Sequence, residues 1–130
     1  MGIGFFLAFT ALDHVPMVAI ENPVGIMSSI YRQPDQIIQP YEFGDPHKKT
    51  TCLWLKGLPQ LCPTKIVKPK LMSYQTKDGR TVTFDEMFCI GHGSHDGGQR
   101  SKTFPGIARA MGDQWGSLSE PYVYQESFLK

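Results

Sequence analysis

The sequence predicts an α/β protein, and three features carry that expectation. An apolar stretch with helical spacing at residues 3–12 leads directly into an unbroken apolar run, Val15-Pro16-Met17-Val18-Ala19-Ile20. A short apolar run without alternation reads as a strand buried on both faces, the kind found in parallel sheets. Further on, Asp78-Gly79 lies between two β-prone runs, which marks a hairpin. Near the end, Ile107, Met111 and Trp115 fall on one helical stripe.

At 130 residues the chain suits a single domain, with enough length for one core. With 41% hydrophobic and 19% charged residues it falls outside the disordered and fibrous classes. The net charge of +1 supplies no overall attraction to nucleic acid, so any such binding must come from a local patch. Cys52, Cys62 and Cys89 are odd in number and irregular in spacing, which fits a reducing cytoplasm better than a disulfide framework. No Cys-x-x-Cys pair suggests structural zinc. The apolar N-terminus lacks a preceding basic residue and is too short to span a bilayer, so it reads as a buried helix and no membrane is expected.

In chain order, Phe5, Phe6, Phe9 and Leu12 predict a core-facing helix over 3–12, and Asp13-His14 turn it into the strand at 15–20. Pro23 and Pro34 bound a loop with one helical turn. Short strands follow at 36–41 and 50–55, joined through the Gly44-Asp45-Pro46 turn as an antiparallel hairpin at the edge of the sheet. Pro59, Pro63 and Pro69 exclude regular structure over 57–69, and the Asp-Gly hairpin joins 71–75 to 81–84. Residues 91–100 are Gly-rich and polar, hence loop. Thr103 is a candidate cap for a helix opening at Phe104-Pro105, with Ala108 beside its apolar stripe and Gly116 at its end. The aromatic tail from Ser117 to Lys130 is expected to dock. The expected segments are 1–56 (sheet), 57–100 (hairpin and loop insertion) and 101–130 (helix and tail).

Glu21-Asn22 ends the first apolar run, and in open α/β sheets ligands bind just past the carboxyl ends of the strands. A carboxylate and an amide placed there make a candidate site; the plain alternative is a backbone cap followed by a turn. His47-Lys48-Lys49, with Arg32, supplies loop cations able to meet phosphates, or simply a solvated turn. Arg100, Lys102 and Thr103 precede a helix start whose free N–H groups attract anions; the alternative is a packing helix with exposed basic residues. His92 and His95 with the adjacent Asp96 resemble a metal cluster, but nothing elsewhere in the chain stands at a regular spacing to complete the ligand set, so no metal is assigned.

Four segments stand in order across most of the chain: Ile20-Glu21-Asn22-Pro23, Gln36-Ile37-Ile38-Gln39-Pro40-Tyr41, Thr51-Cys52-Leu53-Trp54-Leu55-Lys56, and Thr103-Phe104-Pro105-Gly106-Ile107-Ala108-Arg109-Ala110-Met111. Together with Phe43-Gly44-Asp45-Pro46-His47-Lys48-Lys49, this set resembles the second half of the catalytic domain of DNA (cytosine-5) methyltransferases. More closely, it resembles the short methylase-like proteins of bacteriophages.

The resemblance implies a truncated Rossmann-like, methyltransferase-type half-domain with a hairpin insertion and a C-terminal packing helix. It implies that Glu21, with Asn22, grips a flipped-out cytosine through its N4 amino group and N3. It places Arg32, Lys48, Lys49, Arg100 and Lys102 toward nucleic acid, and Thr103 and Pro105 at the wall of an S-adenosylmethionine pocket. Where the family has arginines beside the base pocket, this chain has Lys48 and Thr50, and a lysine cannot reproduce the guanidinium fork.

The family's methylation also needs a Pro-Cys nucleophile and a Gly-rich turn after the first strand. No cysteine here follows a proline, and Gly2-Ile3-Gly4 follows no strand. The isolated chain is therefore expected to be catalytically incomplete and to bind no cofactor, taking S-adenosylmethionine only if a partner completes it. An apolar strand lacking its neighbours predicts association, with a second copy or with a chain that supplies the missing strands, and DNA is a further candidate partner. Two functions stay open: a binding protein of regulatory or anti-defence type in a bacterial host, and one half of a split methyltransferase. A small DNA-binding module is a third.

Overall fold

The structure is a computed structural model that describes residues 3–86 and 103–124. The fold is mixed α/β, and the two sheets among the described residues are antiparallel. The chain divides into two compact units: Met1–Ile38 with Thr51–Cys62 and Met111–Lys130, and Gln39–Thr50 with Pro63–Ala110.

The first unit is built on a strand that is apolar on both faces. Strand β3, Thr51–Lys56, buries every residue but the last. Cys52 and Trp54 face one side and Leu53 and Leu55 the other, which is what a strand covered on both faces requires. It therefore takes the centre, with β1 (Val18–Pro23) on one flank and β2 (Gln36–Ile38) on the other. Both flanking strands pair antiparallel to β3, so β1 and β2 run in the same direction with a reversed strand between them.

This corrects the expectation of an interior parallel strand at 15–20. Strand β1 begins three residues later, runs on through Glu21 and Asn22, and lies at an edge of the described sheet. The physical reason lies in its composition. Half-buried Glu21 and Asn22 make β1 a poorer centre than β3, and a proline such as Pro23 is tolerated on an edge strand. The expected hairpin of the second and third strands is present, but β3 is its central member and only β2 is marginal.

One face of the sheet holds the core cluster of Phe6, Ile20, Met27, Cys52 and Trp54. Helix α1, Ile3–Thr10, contributes Phe6, whose ring meets Trp54 edge-on at 5.0 Å. Phe5 and Phe9 do not join it; they pair with each other at 4.9 Å and stay exposed. Adjacent positions on a helix diverge by about 100°, so Phe5 and Phe6 cannot serve the same face. The single turn α2, Met27–Ile30, falls in the expected loop and sends Met27 into the core.

Gly57 ends β3 with φ +64°, and a Cβ there would lie 2.3 Å from the Pro16 carbonyl oxygen, so only glycine fits that turn. The tail docks as expected through Tyr124: the Tyr122 N–H donates to Gly57 O at 2.8 Å and the Tyr124 hydroxyl to Leu58 O at 2.9 Å. The irregular stretch after Gly57 is held by side-chain amides. Gln36 both accepts from the Leu61 N–H and donates to its carbonyl, each at 2.8 Å.

A further anchor fixes the edge where β2 has not yet begun. Asp35 Oδ2 accepts the Leu55 N–H at 2.6 Å, and both Asp35 oxygens accept from the Arg32 guanidinium at 2.8 and 2.9 Å. Burial alone would raise the Asp35 pKa, but the Arg32 hydrogen bonds, the Leu55 amide and the Arg32 charge outweigh it and hold the group below its ordinary value. A depressed carboxyl contributes stability above its unfolded pKa and loses it as pH falls through the folded value. Asp35→Asn is thus expected to destabilise at neutral pH and to flatten the acid limb of the stability curve. Asp35→Ala, which also orphans the Leu55 amide, should cost about 1–3 kcal/mol more. Denaturant titrations from neutral to acid pH check both; identical acid limbs in Asp35→Asn and wild type would refute the assignment.

The second unit contains a one-turn 3₁₀ segment, Pro40–Glu42, the turn at Gly44 (φ +95°), and the hairpin of β4 (Leu71–Gln75) and β5 (Thr81–Asp85). The hairpin forms where the Asp-Gly signal places it, with Gly79 at φ +81°. Helix α3, Pro105–Trp115, opens in this unit, and its residues from Met111 onward are counted with the first. Its buried positions are Ile107 and Ala110; Ala108, expected beside the inner stripe, is exposed.

Candidate functional site

Glu21 and Asn22 are adjacent in β1, and strand geometry separates them. Glu21 pairs with Leu53, which pairs in turn with Gln36, so these three share one face. Asn22 pairs with Cys52 and lies on the other face, the side of Ile20 and Trp54. The two groups therefore cannot close on one ring from the same side of the sheet. Both are half-buried, and neither side chain is hydrogen-bonded or ion-paired among the described residues. Gln36 is fully engaged by Leu61, which leaves the Glu21 carboxylate as the open polar group of its row.

The cation loop belongs to the second unit, and its backbone is tied down by an acid that sequence reading did not connect to it. Asp85, at the end of β5, is 4% exposed. Its Oδ2 accepts the Lys48 N–H at 2.6 Å, and its Oδ1 lies 3.3 Å from His47 Nδ1. The His47 ring packs on Phe104 at 5.4 Å, and Lys49 Nζ stands 5.9 Å from the centre of the same ring. The Lys48 side chain is exposed. Thirty-eight residues separate His47 from Asp85, and only a lone acid closing an otherwise uncharged strand hinted at the pairing.

The start of α3 is already capped. Asp45 Oδ2 accepts the Gly106 N–H at 2.8 Å, so a carboxylate from the chain itself occupies the place proposed for an external anion. Thr103, the expected cap, is exposed, and Pro105 opens the helix as its first residue. A Cβ on Gly106 would lie 2.0 Å from Phe43 O, so the helix start is pressed against backbone. Arg100 and Lys102, with Cys89, His92, His95 and Asp96, lie outside the described residues.

Arg32 is engaged rather than presented. Its guanidinium is forked onto Asp35 and stands over the Tyr31 ring at 5.2 Å, and the Asp35 hydrogen bonds raise its pKa further above the ordinary range. Cys52 is buried, and burial pushes its thiol pKa up, the opposite of an activated nucleophile. A cavity of about 170 Å³ opens beside α1, lined by Phe9, Thr10, Val18, Trp54 and Lys56 among others, and neither Glu21 nor Asn22 lines it. It is smaller than the roughly 300–1,000 Å³ of typical small-molecule sites.

The fold and site thus define a small mixed α/β protein with an open polar group on an edge strand and a cation loop braced by a buried acid. Compared with family models, with curated proteins and with solved structures, the chain matches none. No described helix is long and apolar enough to cross a membrane.

Proposed function

We propose that this chain is a catalytically incomplete DNA cytosine methyltransferase-like protein that acts by binding, engaging a partner chain or nucleic acid rather than transferring a methyl group itself. The observation that carries the reading is the sheet: β1 and β2 run parallel with β3 reversed between them, and the outer edge of β1 has no partner strand among the described residues. Mostly parallel sheets often include a reversed strand toward one margin, so a three-stranded piece of this kind fits the end of a larger Rossmann-like sheet. An unpaired edge is a template for another chain.

The residues fit the same reading. Glu21 keeps an unengaged, half-buried carboxylate on the strand that the resemblance assigns to the base-gripping side. Of the described cysteines, Cys52 is sealed in the core and Cys62 sits in an exposed loop after Leu61, not after a proline. The resemblance to phage proteins extends the proposal to a regulatory or anti-defence role in the cytoplasm of a bacterial host. The open Glu21 carboxylate also favours a second reading, in which a separate polypeptide supplies the nucleophile and S-adenosylmethionine site of a split enzyme.

Three measurements test the proposal. Titration of the isolated chain with S-adenosylmethionine should give no heat, and incubation with DNA and S-adenosylmethionine should methylate no cytosine. Sedimentation should show a species heavier than one chain, or a monomer that becomes heavier when a completing chain is co-expressed. A compact monomer that methylates cytosine unaided would overturn the proposal. Methylation only in the co-expressed pair, lost in Glu21→Gln, would select the split enzyme.

A further inference from the structure

Little of the β4–β5 sheet is buried. All but two of its ten residues are exposed: Phe84 is half-buried and Asp85 buried. A two-stranded ribbon alone in water is marginal, and this one is fastened at its root. There the Glu86 N–H donates to Lys70 O at 3.3 Å, and Asp85 holds the Lys48 amide at 2.6 Å. Beyond that root, most residues on both faces of the ribbon are exposed.

Those faces differ. Directly opposite residues share a face, so Met72–Phe84 and Tyr74–Val82 form an apolar side, where the Tyr74 and Phe84 rings shield each other at 5.8 Å. Ser73–Thr83 and Gln75–Thr81 form the other side, which carries only uncharged hydrogen-bonding groups along its outer length. Basic residues stand at both ends of the ribbon, with Lys68 and Lys70 at the root and Lys77 and Arg80 at the tip, all exposed. Arg80 pairs only with exposed Asp78, a contact that is readily exchanged.

The near-neutral net charge conceals a segregation. Among described residues, the unit that holds the ribbon has eight Lys and Arg against five Asp and Glu; the other unit has two against five. The positive charge thus gathers where the polar ribbon is displayed.

We propose that the β4–β5 ribbon is a duplex-DNA-binding arm whose Ser73, Gln75, Thr81 and Thr83 face enters the major groove while Lys68, Lys70, Lys77 and Arg80 meet the flanking phosphates. The dimensions agree. Five residues of strand span about 17 Å, and the B-form major groove, about 12 Å wide and 8.5 Å deep, admits a two-stranded ribbon. Hydroxyl and amide groups can bond base edges there, whereas the deep, narrow major groove of A-form RNA excludes a ribbon. The inference rests on the nucleic-acid branch of the proposed function, and it assigns that binding to residues outside the Glu21 strand.

The test uses the full chain and fluorescence anisotropy with a labelled mixed-sequence DNA duplex, the same sequence as a single strand, and its RNA duplex. Duplex DNA should bind best, and three to four phosphate contacts should weaken it on the order of 10²-fold between about 50 and 200 mM salt. Replacing Lys77 and Arg80 by Ala together should lower the salt slope by about 2. Thr83→Glu and Val82→Glu add the same charge to opposite faces of one strand, so net charge cancels from the comparison. Thr83→Glu should abolish binding while Val82→Glu keeps most of it, with helix content by circular dichroism unchanged in both. Equal binding of RNA or of single strands overturns groove insertion, and equal loss in the two glutamate variants overturns the face assignment. Duplex binding undiminished by Thr83→Glu removes the ribbon but leaves nucleic-acid binding elsewhere on the chain. No duplex binding at low salt removes both.

Discussion

Gly106→Ala should lower the unfolding free energy by roughly 2–5 kcal/mol, the combined cost of overpacking and a lost helix cap. The new methyl would lie 2.0 Å from Phe43 O and 2.7 Å from Asp45 Oδ2. The nearer obstacle is backbone, so the start of α3 must retreat, and the bond from the Gly106 N–H to Asp45 goes with it. Gly112, in the same helix, is the internal control. A Cβ there meets nothing within 4 Å, so Gly112→Ala should stabilise by about 0.5–1 kcal/mol through the greater helix propensity of alanine. Urea titrations of the two variants would read opposite signs. A neutral Gly106→Ala would mean that α3 does not begin against Phe43.

Trp54→Ala should be comparably severe, at about 3–5 kcal/mol, because it empties the middle of the core. Trp54 is 2% exposed, its ring meets Phe6 at 5.0 Å, and its indole N–H donates to the Arg32 carbonyl at 2.8 Å. Against a total stability of about 5–15 kcal/mol for a typical domain, that loss leaves little margin. Trp54→Phe separates packing from hydrogen bonding: it keeps an aromatic contact with Phe6 and should lose nearer 1 kcal/mol from the missing bond. Near-ultraviolet dichroism and denaturant midpoints measure both. A Trp54→Ala protein within 1 kcal/mol of wild type would contradict the placement of the core on this face.

Both variants probe features of unequal visibility in the sequence. The run Cys52-Leu53-Trp54-Leu55 announces a strand covered on both faces, and β3 is such a strand. The run at 15–20 announced the same and became an edge strand, because its partner Glu21-Asn22 segment joined the ladder rather than ending it. Asp78-Gly79 specified its hairpin outright, since an Asp-Gly turn is chosen by local φ and little else. Phe5, Phe6 and Phe9 were indistinguishable as candidates for the core; which of them turned inward depended on the rotation of α1 against Trp54.

The candidate site divides in the same way. Glu21 and the Lys48-Lys49 pair were legible as chemistry-bearing residues, because their types and neighbours are local facts. That Glu21 and Asn22 face opposite sides follows from strand period once the strand is known to continue through them. The acids that organise the rest were not legible. Asp45 and Asp85 act on Gly106 and Lys48, 61 and 37 residues away, and Asp35 acts on Leu55 across 20.

The sequence by itself determined the α/β class, an apolar strand at 50–55, the Asp-Gly hairpin and the late helix, since each depends on periodicity or on the backbone preferences of a few adjacent residues. Only the tertiary structure decided the order β1-β3-β2 with β3 at the centre, the edge position of β1 in the described sheet, the inward turn of Phe6, and which carboxylate capped which amide. Those outcomes depend on contacts between residues far apart in the chain, where the desolvation of a buried amide or the fit of one ring against another selects among arrangements that local pattern leaves equivalent.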